Sequence, residues 1–346
     1  MNKIKVLVVD DSALMRLLIS DMLASDLALE VVGAASDGYQ AIVEIEILKP
    51  DIITLDVQMP ALDGLEVLKR IRQECPTKVI VVTGLKNSDV AYEALSLGAI
   101  DFVSKPSGPY SPDIDEVKEE LIEKVKMAAS VNLAKVMPST NSYKFKTGIV
   151  KRSVVLKKIV AIGASAGGPP ALEKVLSALS AGLPASFLVV QHLPAGFVKS
   201  LVKRLNFLAP FEVREARGGE PIEPDVVYFA PSGYHLTVAR SKGCCSLKLD
   251  KSRPVCGARP SIDKLMASVA AYCGKRAIGV VLSGMGRDGA SGMKAIKARG
   301  GKTIVQDEKT SVVFSMPKAA IAEDAVDKIL PLDRIAKEIE RIITRG

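Results

Sequence analysis

Short runs of consecutive apolar and β-branched residues alternate with amphipathic segments of period near 3.6 along most of this chain of 346 residues. Strands that are apolar on both faces are typical of parallel sheets covered by helices on either side. The alternation occurs in two blocks, and the polar, basic stretch MPSTNSYKFKTGIVKRS between them lacks periodicity. The sequence therefore predicts two α/β domains, residues 1–129 and 154–346, joined by a linker at residues 130–153.

The first block predicts five strand and helix units, and a parallel sheet of this kind has its ligand site at the carboxyl ends of the strands. The predicted strands are Ile4–Val9, Val31–Ala34, Ile52–Leu55, Val79–Thr83 and Phe102–Ser104. The predicted helices are Ala13–Leu23, Tyr39–Leu48, Leu65–Arg72, Val90–Leu97 and a last amphipathic stretch from Asp115 to Ala129.

The second block repeats the alternation and predicts a doubly wound, mostly parallel sheet. The predicted strands are Ile159–Ile162, Phe187–Val190, Val226–Ala230, Ile278–Leu282 and Lys302–Val305. The predicted helices are Ala171–Leu179, Ile262–Ala271 and Met293–Ala298. The weakly patterned region 210–258 contains HLTVAR, SKG and CCSLKLD in succession, which favours a hairpin.

Composition excludes several classes of protein. Hydrophobic residues make up 48% and charged residues 25% of the chain, as in ordinary globular proteins. No apolar run reaches the roughly 18 to 20 residues that span a bilayer, so membrane insertion is not expected. The five cysteines match no paired metal-binding spacing, which favours a reducing cytoplasm over a disulfide framework.

Charge is divided unevenly along the chain. Residues 1–126 contain 13 basic and 22 acidic side chains, a net charge of −9, whereas the remaining residues contain 34 and 17, a net charge of +17. A basic half indicates an anionic partner such as nucleic acid, a membrane surface or an acidic protein, and the charge alone does not choose among them. The two halves are also expected to attract each other.

Polar residues stand at the carboxyl ends of the predicted strands of the first block. Asp10 and Asp11 follow the first strand, Asp56 follows the third, Thr83 ends the fourth and Lys105 follows the fifth. Converging carboxylates suit Mg²⁺, and a carboxylate with a hydroxyl and an ammonium beside it suits phosphoryl transfer. Taken singly, an acidic pair at a strand end is more often a helix cap and Lys-Pro a turn, so the prediction depends on the combination.

A glycine-rich turn, GASAGG at residues 163–168, lies between a predicted strand and a predicted helix. It has the G-x-S-x-G spacing of a nucleophile elbow, in which glycines keep neighbouring side chains away from the serine, here Ser165. A turn of this kind could instead bind a dinucleotide, although Ser165 stands where that motif has its second glycine. A tight turn without chemical function is the third interpretation, and the motif alone leaves all of them open.

A serine nucleophile needs a base, and the chain contains two histidines. His192 follows FLVVQ at the carboxyl end of a strand, the edge expected for Ser165, and we interpret it as a general base. His235, in APSGYHLTV, is interpreted as a structural residue in a turn or hairpin. Asp288, in SGMGRDG after a further strand, either caps the next helix or orients the His192 imidazole as the third member of a Ser-His-Asp triad.

Residues 1–126 resemble the receiver domain of two-component response regulators, whose fold is a flavodoxin-like (βα)5 unit. The resemblance implies that Asp56 is the phospho-acceptor, and that Lys105 contacts the phosphate and precedes a cis proline, Pro106. It also implies that Thr83 and Phe102 form the switch pair. The implied Mg²⁺ ligands are Asp10, Asp11, Asp56 and the backbone carbonyl of Gln58.

The whole chain, over about residues 1–340, resembles the CheB family of chemotaxis methylesterases. The motifs that carry the resemblance are GASAGG, QHLP, RPSID, SGMGRDG and QDEKTSVVFSMP, in that order. The resemblance implies that Ser165 is the nucleophile, His192 the base and Asp288 the orienting carboxylate. It further implies that the backbone N–H groups near Ala166 and Met285 form the oxyanion hole.

The family resemblance implies hydrolysis of glutamate methyl esters on the cytoplasmic helices of methyl-accepting chemoreceptors, often with deamidation of receptor glutamines. It implies a chemotaxis histidine kinase as phosphodonor, Mg²⁺ in the receiver domain, no cofactor for the esterase reaction, and an unphosphorylated receiver that covers the active site. We expect a cytoplasmic monomer that binds no nucleic acid. Ala166 and Phe314-Ser315 depart from the family pattern, where a hydroxyl residue and an aromatic followed by glycine are usual, and are expected to affect only rate or substrate preference.

Two other functions fit parts of the sequence. The first is a response regulator whose second domain binds nucleic acid, and the second is a receiver fused to a module that binds a nucleotide at the GASAGG turn. The alternation of strands and helices is unlike a helix-turn-helix domain. Aromatic residues make up only 4% of the chain and tryptophan is absent, which disfavours a base-stacking surface.

Overall fold

The computed structural model describes residues 3–84, 88–106, 108, 114–136, 155–194, 196–241 and 244–345. The chain forms two compact units, one within residues 1–139 and the other within residues 140–346. Each unit is built around its own parallel sheet. None of the helices in these ranges is both long enough and apolar enough to cross a membrane.

The first unit is a five-stranded parallel sheet in the order β2-β1-β3-β4-β5. Its strands are β1 (Ile4–Val9), β2 (Leu29–Ala35), β3 (Ile52–Leu55), β4 (Lys78–Thr83) and β5 (Asp101–Ser104). Its helices are α1 (Ala13–Ala24), α2 (Gly38–Leu48), α3 (Gly64–Glu74), α4 (Ser88–Ser96) and α5 (Ile114–Ser130). The predicted flavodoxin-like (βα)5 fold is confirmed, and the carboxyl ends of the strands share one edge.

The second unit contains a seven-stranded parallel sheet in the order β14-β13-β12-β6-β7-β9-β8, and a separate antiparallel hairpin of β10 and β11. Its strands are β6 (Lys158–Ala164), β7 (Ala185–Gln191), β8 (Glu212–Glu215), β9 (Val226–Phe229), β10 (His235–Ser241), β11 (Cys244–Asp250), β12 (Ala277–Val281), β13 (Lys302–Gln306) and β14 (Lys328–Leu330). Its helices are α6 (Gly168–Ser177), α7 (Phe197–Leu208), α8 (Ile262–Cys273), α9 (Ala290–Ala298), α10 (Ser315–Ala322) and α11 (Leu332–Arg345). The predicted doubly wound class is confirmed, as is the hairpin.

The order of the second sheet changes direction at β6. From β6 the chain continues to β7 on one side, and it later returns to place β12 on the other side. In doubly wound sheets the ligand crevice lies outside the carboxyl ends of the strands at such a switch point. The residues that follow β6, β7 and β12 are therefore expected to form the site of the second unit.

Several elements of the second unit are absent from the sequence prediction, namely α7, β8, α10, β14 and α11. The strands β8 and β14 lie at the edges of the sheet and have four and three residues, too few to show a period. Helix α11, by contrast, buries Ile335, Ile339 and Ile343, which recur at helical spacing. The sequence therefore does contain the apolar periodicity that indicates α11.

Two details depart from expectation. Among the described residues the one cis peptide bond joins Arg259 to Pro260, so the expected cis bond between Lys105 and Pro106 was wrong. The predicted linker begins with regular structure, because α5 continues to Ser130 and a short 3₁₀ turn covers Leu133–Lys135. Linker residues from 137 onwards lie outside the described residues, and the predicted domain boundaries stay a prediction.

Helices α8 and α9 pack against each other at a glycine. A Cβ atom built on Gly292 of α9 would lie 2.5 Å from the Met266 Cβ and 3.1 Å from the Asp263 Cα, both on α8. Separations below 3 Å force neighbouring atoms to move, and here the neighbours belong to the adjacent helix. Gly292 therefore sets how closely the beginnings of the two helices approach.

Substitution Gly292→Ala should destabilise the second unit. Overpacking of this kind costs about 1 to 3 kcal/mol, and a unit of this size loses roughly 2 to 4 °C of Tm per kcal/mol. Calorimetry of the full chain should show a lower Tm for one transition only. The control is Ser291→Ala, at an exposed position of the same helix, and an unchanged Tm in both variants would contradict the packing argument.

Candidate active site

Three loops meet at the carboxyl ends of β6, β7 and β12. Ala164 at the end of β6 pairs with Gln191 at the end of β7, so Ser165 and His192 leave adjacent strands at the same level. The backbone N–H of Ser165 donates to the carbonyl of Ser283, in the loop after β12, at 3.1 Å. The switch point of the sheet thus holds the predicted nucleophile, the predicted base and the loop that leads to the predicted carboxylate.

Hydrogen bonds and glycines hold the turn that carries Ser165. The Ser165 carbonyl accepts the Gly168 N–H at 2.8 Å and the Gln191 Nε2–H at 2.9 Å. Gly167 has a φ of 70°, and a Cβ on it would lie 2.6 Å from the Val312 Cβ. A Cβ on Gly168 would lie 2.1 Å from Gln191 Oε1. Both glycines are therefore required for the turn, which leaves Ser165 partly exposed just before α6.

Backbone N–H groups beside Ser165 are available to a ligand. A Cβ built on Gly284 would lie 2.9 Å from the Ser165 Cβ, so the loop after β12 packs directly against the serine. Backbone hydrogen bonds on both sides of Gly284 fix this loop. Within the ranges that the structure describes, neither the Ala166 N–H nor the Met285 N–H donates to a protein group. Two such donors suit the oxygen of a tetrahedral intermediate.

His192 is paired with Asp288 through its ring. Nε2 lies 2.9 Å from Asp288 Oδ2, and because an ionised carboxylate only accepts, Nε2 is the donor; in a neutral imidazole this tautomer leaves the lone pair on Nδ1. In the described part of the chain, Nδ1 has no protein partner and Ser165 Oγ forms no hydrogen bond. The bond from Ser165 to His192 expected of a triad is therefore not formed here, and such bonds often tighten only when substrate is bound.

Asp288 is 3% exposed, yet four donors reach its two oxygens. Apart from His192 these are Ser261 Oγ at 3.0 Å, the Ile262 N–H at 2.7 Å and the Asp263 N–H at 2.9 Å, all at the start of α8. Burial opposes ionisation, but the hydrogen bonds from His192 and from the backbone outweigh it and lower the pKa of Asp288. The carboxylate is therefore available as a charged partner for the imidazole.

Asp263 makes the reciprocal contact with the other helix. Its Oδ1 accepts the N–H groups of Gly289 at 2.9 Å and Gly292 at 2.7 Å, at the start of α9. Burial raises the Asp263 pKa, and the nearby charge of Asp288 adds to this effect against the opposing Gly292 N–H. Asp263 of α8 thus binds the N-terminus of α9, and Asp288, which precedes α9, binds the N-terminus of α8. The N-cap of α9 is Gly289, so Asp288 does not cap the helix that follows it.

The GASAGG turn does not provide the open cradle of a dinucleotide-binding loop. Such a loop needs free space beside its glycine backbone so that a pyrophosphate can approach. Here the Gln191 carboxamide occupies the space beside Gly168, and Ser283 Oγ would lie 2.9 Å from a Cβ on Gly167. The geometry disfavours the nucleotide-binding interpretation of the turn.

The first unit gathers its acidic residues at the carboxyl edge of its sheet. Carboxylate oxygens of Asp10, Asp11 and Asp56 lie within 4.8 Å of one another, and Lys105 Nζ lies 2.6 Å from Asp10 and 2.8 Å from Asp56. Burial raises the Asp56 pKa, with Lys105 opposing it. Burial also acts to lower the Lys105 pKa, but its two carboxylate partners outweigh this and raise it. Oxygen donors this close fit a hard divalent cation, and Ser12, not the acidic pair, is the N-cap of α1.

The other predicted receiver residues are Thr83, Gln58 and Phe102. Thr83 is fully buried, and its hydroxyl has no partner among the described residues, as expected of a group that contacts an added ligand. The Gln58 N–H donates to Asp56 Oδ1 at 3.1 Å. The Phe102 ring is fully buried with Lys124 Nζ 5.6 Å from its centre. The structure therefore brings the predicted residues other than Phe102 to one site, and the roles of all of them stay predictions.

Comparison with known proteins assigns the family. The sequence model of CheB methylesterase matches residues 160–339, and that of the response regulator receiver domain matches residues 6–111. The chain is 45% identical to the protein-glutamate methylesterase/protein-glutamine glutaminase of Halalkalibacterium halodurans, over 98% of both chains. This chain belongs to the CheB methylesterase family.

Further relatives support the same family. The protein-glutamate methylesterase/protein-glutamine glutaminase of Pyrococcus horikoshii is 43% identical, over 99% of this chain and 94% of that one. Among solved structures, the CheB methylesterase catalytic domain of Thermotoga maritima is 39% identical with a TM-score of 0.53, over 56% of this chain and 100% of that one. The CheB resemblance predicted from the sequence motifs is confirmed.

Substitution Asp288→Asn should make Ser165 unreactive. An amide cannot stabilise the imidazolium, and its NH2 group would face backbone donors, so we expect phosphonylation of Ser165 by a fluorophosphonate to slow about 1,000- to 10,000-fold. The measurement is the labelling rate of Ser165 by mass spectrometry. Asp333→Asn, at an exposed first-turn position of α11, is the matched control. An unchanged labelling rate in folded Asp288→Asn protein would show that Asp288 does not contribute to the reactivity of Ser165.

Proposed function

We propose that this protein is a phosphorylation-activated protein-glutamate methylesterase that demethylates glutamate methyl esters of methyl-accepting chemoreceptors. We further propose that the same site deamidates receptor glutamines. The observation that carries the proposal is the 2.9 Å pair of His192 Nε2 and Asp288 Oδ2 at the strand edge from which Ser165 extends. The names of the relatives from Halalkalibacterium halodurans and Pyrococcus horikoshii support both activities.

The first half of the reaction forms an acyl-enzyme. His192 Nδ1 removes the proton from Ser165 Oγ as the oxygen attacks the γ-carbonyl carbon of the ester. The oxyanion receives hydrogen bonds from the Ala166 and Met285 N–H groups, each worth about 3 to 4 kcal/mol of transition-state stabilisation. Asp288 stabilises the imidazolium. The imidazolium then gives its proton to the methoxide, so the C–O bond breaks and methanol leaves.

The second half regenerates the serine. His192 removes a proton from water, the resulting hydroxide attacks the acyl carbon, and the same N–H groups bind the second oxyanion. The proton returns to Ser165 Oγ as the acyl bond breaks, leaving a glutamate carboxylate on the receptor. A glutamine substrate follows the same course, with ammonia as the leaving group. All of the chemistry is acid–base and nucleophilic, and the proposed esterase reaction uses no cofactor.

The charge of the second unit supports an acidic helix as substrate. Residues 140–346 contain 33 basic and 17 acidic side chains, a net charge of +16. Helix α7 begins shortly after His192, and its exposed Lys199 and Lys203 form no ion pair within the described residues. Such cations would attract glutamate-rich receptor helices, and salt should weaken the attraction. Because those helices are cytoplasmic, we assign the protein to the cytoplasm.

Control by the first unit begins at Asp56. We assign it as the residue that accepts a phosphoryl group from the chemotaxis histidine kinase, which adds about 1.5 to 2 negative charges at physiological pH. Lys105 would contact the added oxygens, and the buried Thr83 hydroxyl would gain a partner. A change at Thr83, on the strand adjacent to that of the buried Phe102, is the proposed route from phosphorylation to the rest of the unit.

A Mg²⁺ ion fits the acidic cluster of the first unit. Asp10, Asp11 and Asp56 would bind it together with the backbone carbonyl of Gln58, and the ion would neutralise charge on the phosphoryl group. Lys105 forms ion pairs with both Asp10 and Asp56 but offsets only one of their two charges, so the cluster keeps a net negative charge that suits a cation. The chain's own contribution is to hold Asp56 where its oxygen can attack phosphorus, with Lys105 beside it.

Substitution Ser165→Ala should abolish both proposed activities. Removing the nucleophile should reduce methanol release from methylated receptor membranes more than 1,000-fold, and ammonia release from receptor glutamines should fall equally. Both products are measured on the same membranes, with Ser291→Ala as the matched control. Ammonia release that persisted in Ser165→Ala would require a second site. Tight DNA binding without any esterase activity in the native protein would favour a nucleic-acid-binding regulator instead.

Substitution Asp56→Asn should remove the response to phosphorylation. An amide does not form a stable acyl phosphate, so the ratio of methanol release with acetyl phosphate and Mg²⁺ to release without them should fall to about 1. The matched control is Asp51→Asn, because Asp51 lies before β3 at the opposite edge of the same sheet. Full stimulation of the Asp56→Asn protein would show that another residue accepts the phosphoryl group.

A further inference from the structure

His235, the histidine that the proposed mechanism does not use, is fully buried at the start of β10. Its Nδ1 accepts the Ser261 N–H at 3.1 Å, and its Nε2 lies 3.1 Å from the Arg253 carbonyl oxygen. Since a carbonyl only accepts and a backbone N–H only donates, these partners require the tautomer that is protonated on Nε2 alone. An apolar side chain of similar volume could fill this space, but it could not make either bond.

The two partners of His235 are the ends of one segment, residues 253–261, which leads into α8. Inside the segment, Val255 and Ala258 exchange backbone hydrogen bonds around a turn, and residues 253–254 and 256–257 are exposed. The exposed part of the turn makes few packing contacts of its own, whereas its end at Ser261 is fully buried. His235 is held in the sheet by its pairing with Asp250 of β11. It therefore ties both ends of the turn to a buried strand.

The C-terminal end of this segment and the first residues of α8 also supply hydrogen-bond donors to the Asp288 carboxylate. Three of the four hydrogen bonds to the Asp288 carboxylate come from Ser261, Ile262 and Asp263. The fourth comes from His192. The backbone N–H of Ser261 donates to His235 while the Ser261 hydroxyl donates to Asp288, so one residue joins the two side chains.

We propose that His235 is a positioning residue that acts through Ser261 to hold the Asp288 carboxylate against the His192 ring. The inference deepens the proposed function, because it rests on the assigned roles of Ser165, His192 and Asp288. It does not depend on the identity of the ester. A misplacement of about 1 Å in a catalytic group can reduce turnover about 100-fold. Loss of the His235 contact should accordingly lower kcat by roughly 10- to 100-fold and leave KM within about twofold.

Three variants separate the two hydrogen bonds of His235. In His235→Asn, the amide oxygen can replace Nδ1 and accept the Ser261 N–H. In His235→Gln, the longer side chain can place its NH2 group near the Nε2 position and donate to the Arg253 carbonyl. His235→Leu fills the volume and makes neither bond. Because only the Nδ1 side leads to Asp288, we expect kcat to recover in His235→Asn and to stay low in His235→Gln and His235→Leu.

Two readouts are needed, both on the full-length protein. The first is kcat and KM for methanol release from methylated receptor membranes. The second is the rate at which a fluorophosphonate labels Ser165, which reports on the nucleophile without any receptor. Val238→Ala is the control, because Val238 is a buried residue of the same strand. It should lower stability and leave both readouts unchanged.

Recovery by His235→Asn but not by His235→Gln, with parallel changes in labelling rate, supports the proposal. Equal loss in the Asn and Gln variants, recovery by Gln alone, or full kcat in a folded Leu variant would overturn it. If the Leu variant does not fold, the comparison of kcat between the Asn and Gln variants still tests the proposal. Native protein whose Ser165 is labelled but which releases no methanol would contradict the proposed substrate while leaving the role of His235 testable by labelling.

Discussion

Asp288 keeps its negative charge although it is 3% exposed, because four hydrogen-bond donors reach its carboxylate. A buried carboxylate is strongly disfavoured unless it is paired and hydrogen-bonded. Its donors come from the start of α8 and from His192. These bonds fix the carboxylate before any substrate arrives, so the charge that would stabilise an imidazolium needs no reorganisation during the reaction.

The parallel register of the second sheet determines which residues can meet that carboxylate. Because β6 lies between β7 and β12, the loops after these strands leave the sheet side by side. The close approach of these loops requires glycine at 167, 168 and 284, where a Cβ would lie within 3 Å of neighbouring atoms. In the described part of the chain, the N–H groups of Ala166 and Met285 on these loops have no protein acceptor. The close packing thus fixes a partly exposed serine and two unpaired backbone donors on adjoining loops.

Much of this site could be predicted from the sequence, since Ser165, His192 and Asp288 each follow a run of apolar residues and parallel strands end at a common edge. The bonds of Ser261 to His235 and to Asp288 could not, because they join residues 26 and 27 positions apart. Their approach depends on the order of the strands, which hydrophobic periodicity does not encode. For the same reason, the isolated position of His235 in the sequence predicts only a structural residue.

The two units place acidic groups at the same edge of a parallel sheet, yet they neutralise them in opposite ways. In the first unit the counter-charge of Asp10 and Asp56 is the ammonium of Lys105, at the end of a flexible side chain. Under the proposed function, that partner moves when a cation or a phosphoryl group binds. In the second unit the partners of Asp288 are mostly fixed groups at a helix N-terminus. A site whose charge must change needs movable partners, whereas a site that stabilises a transition state needs immobile ones, and the chain supplies each kind where the proposed function requires it.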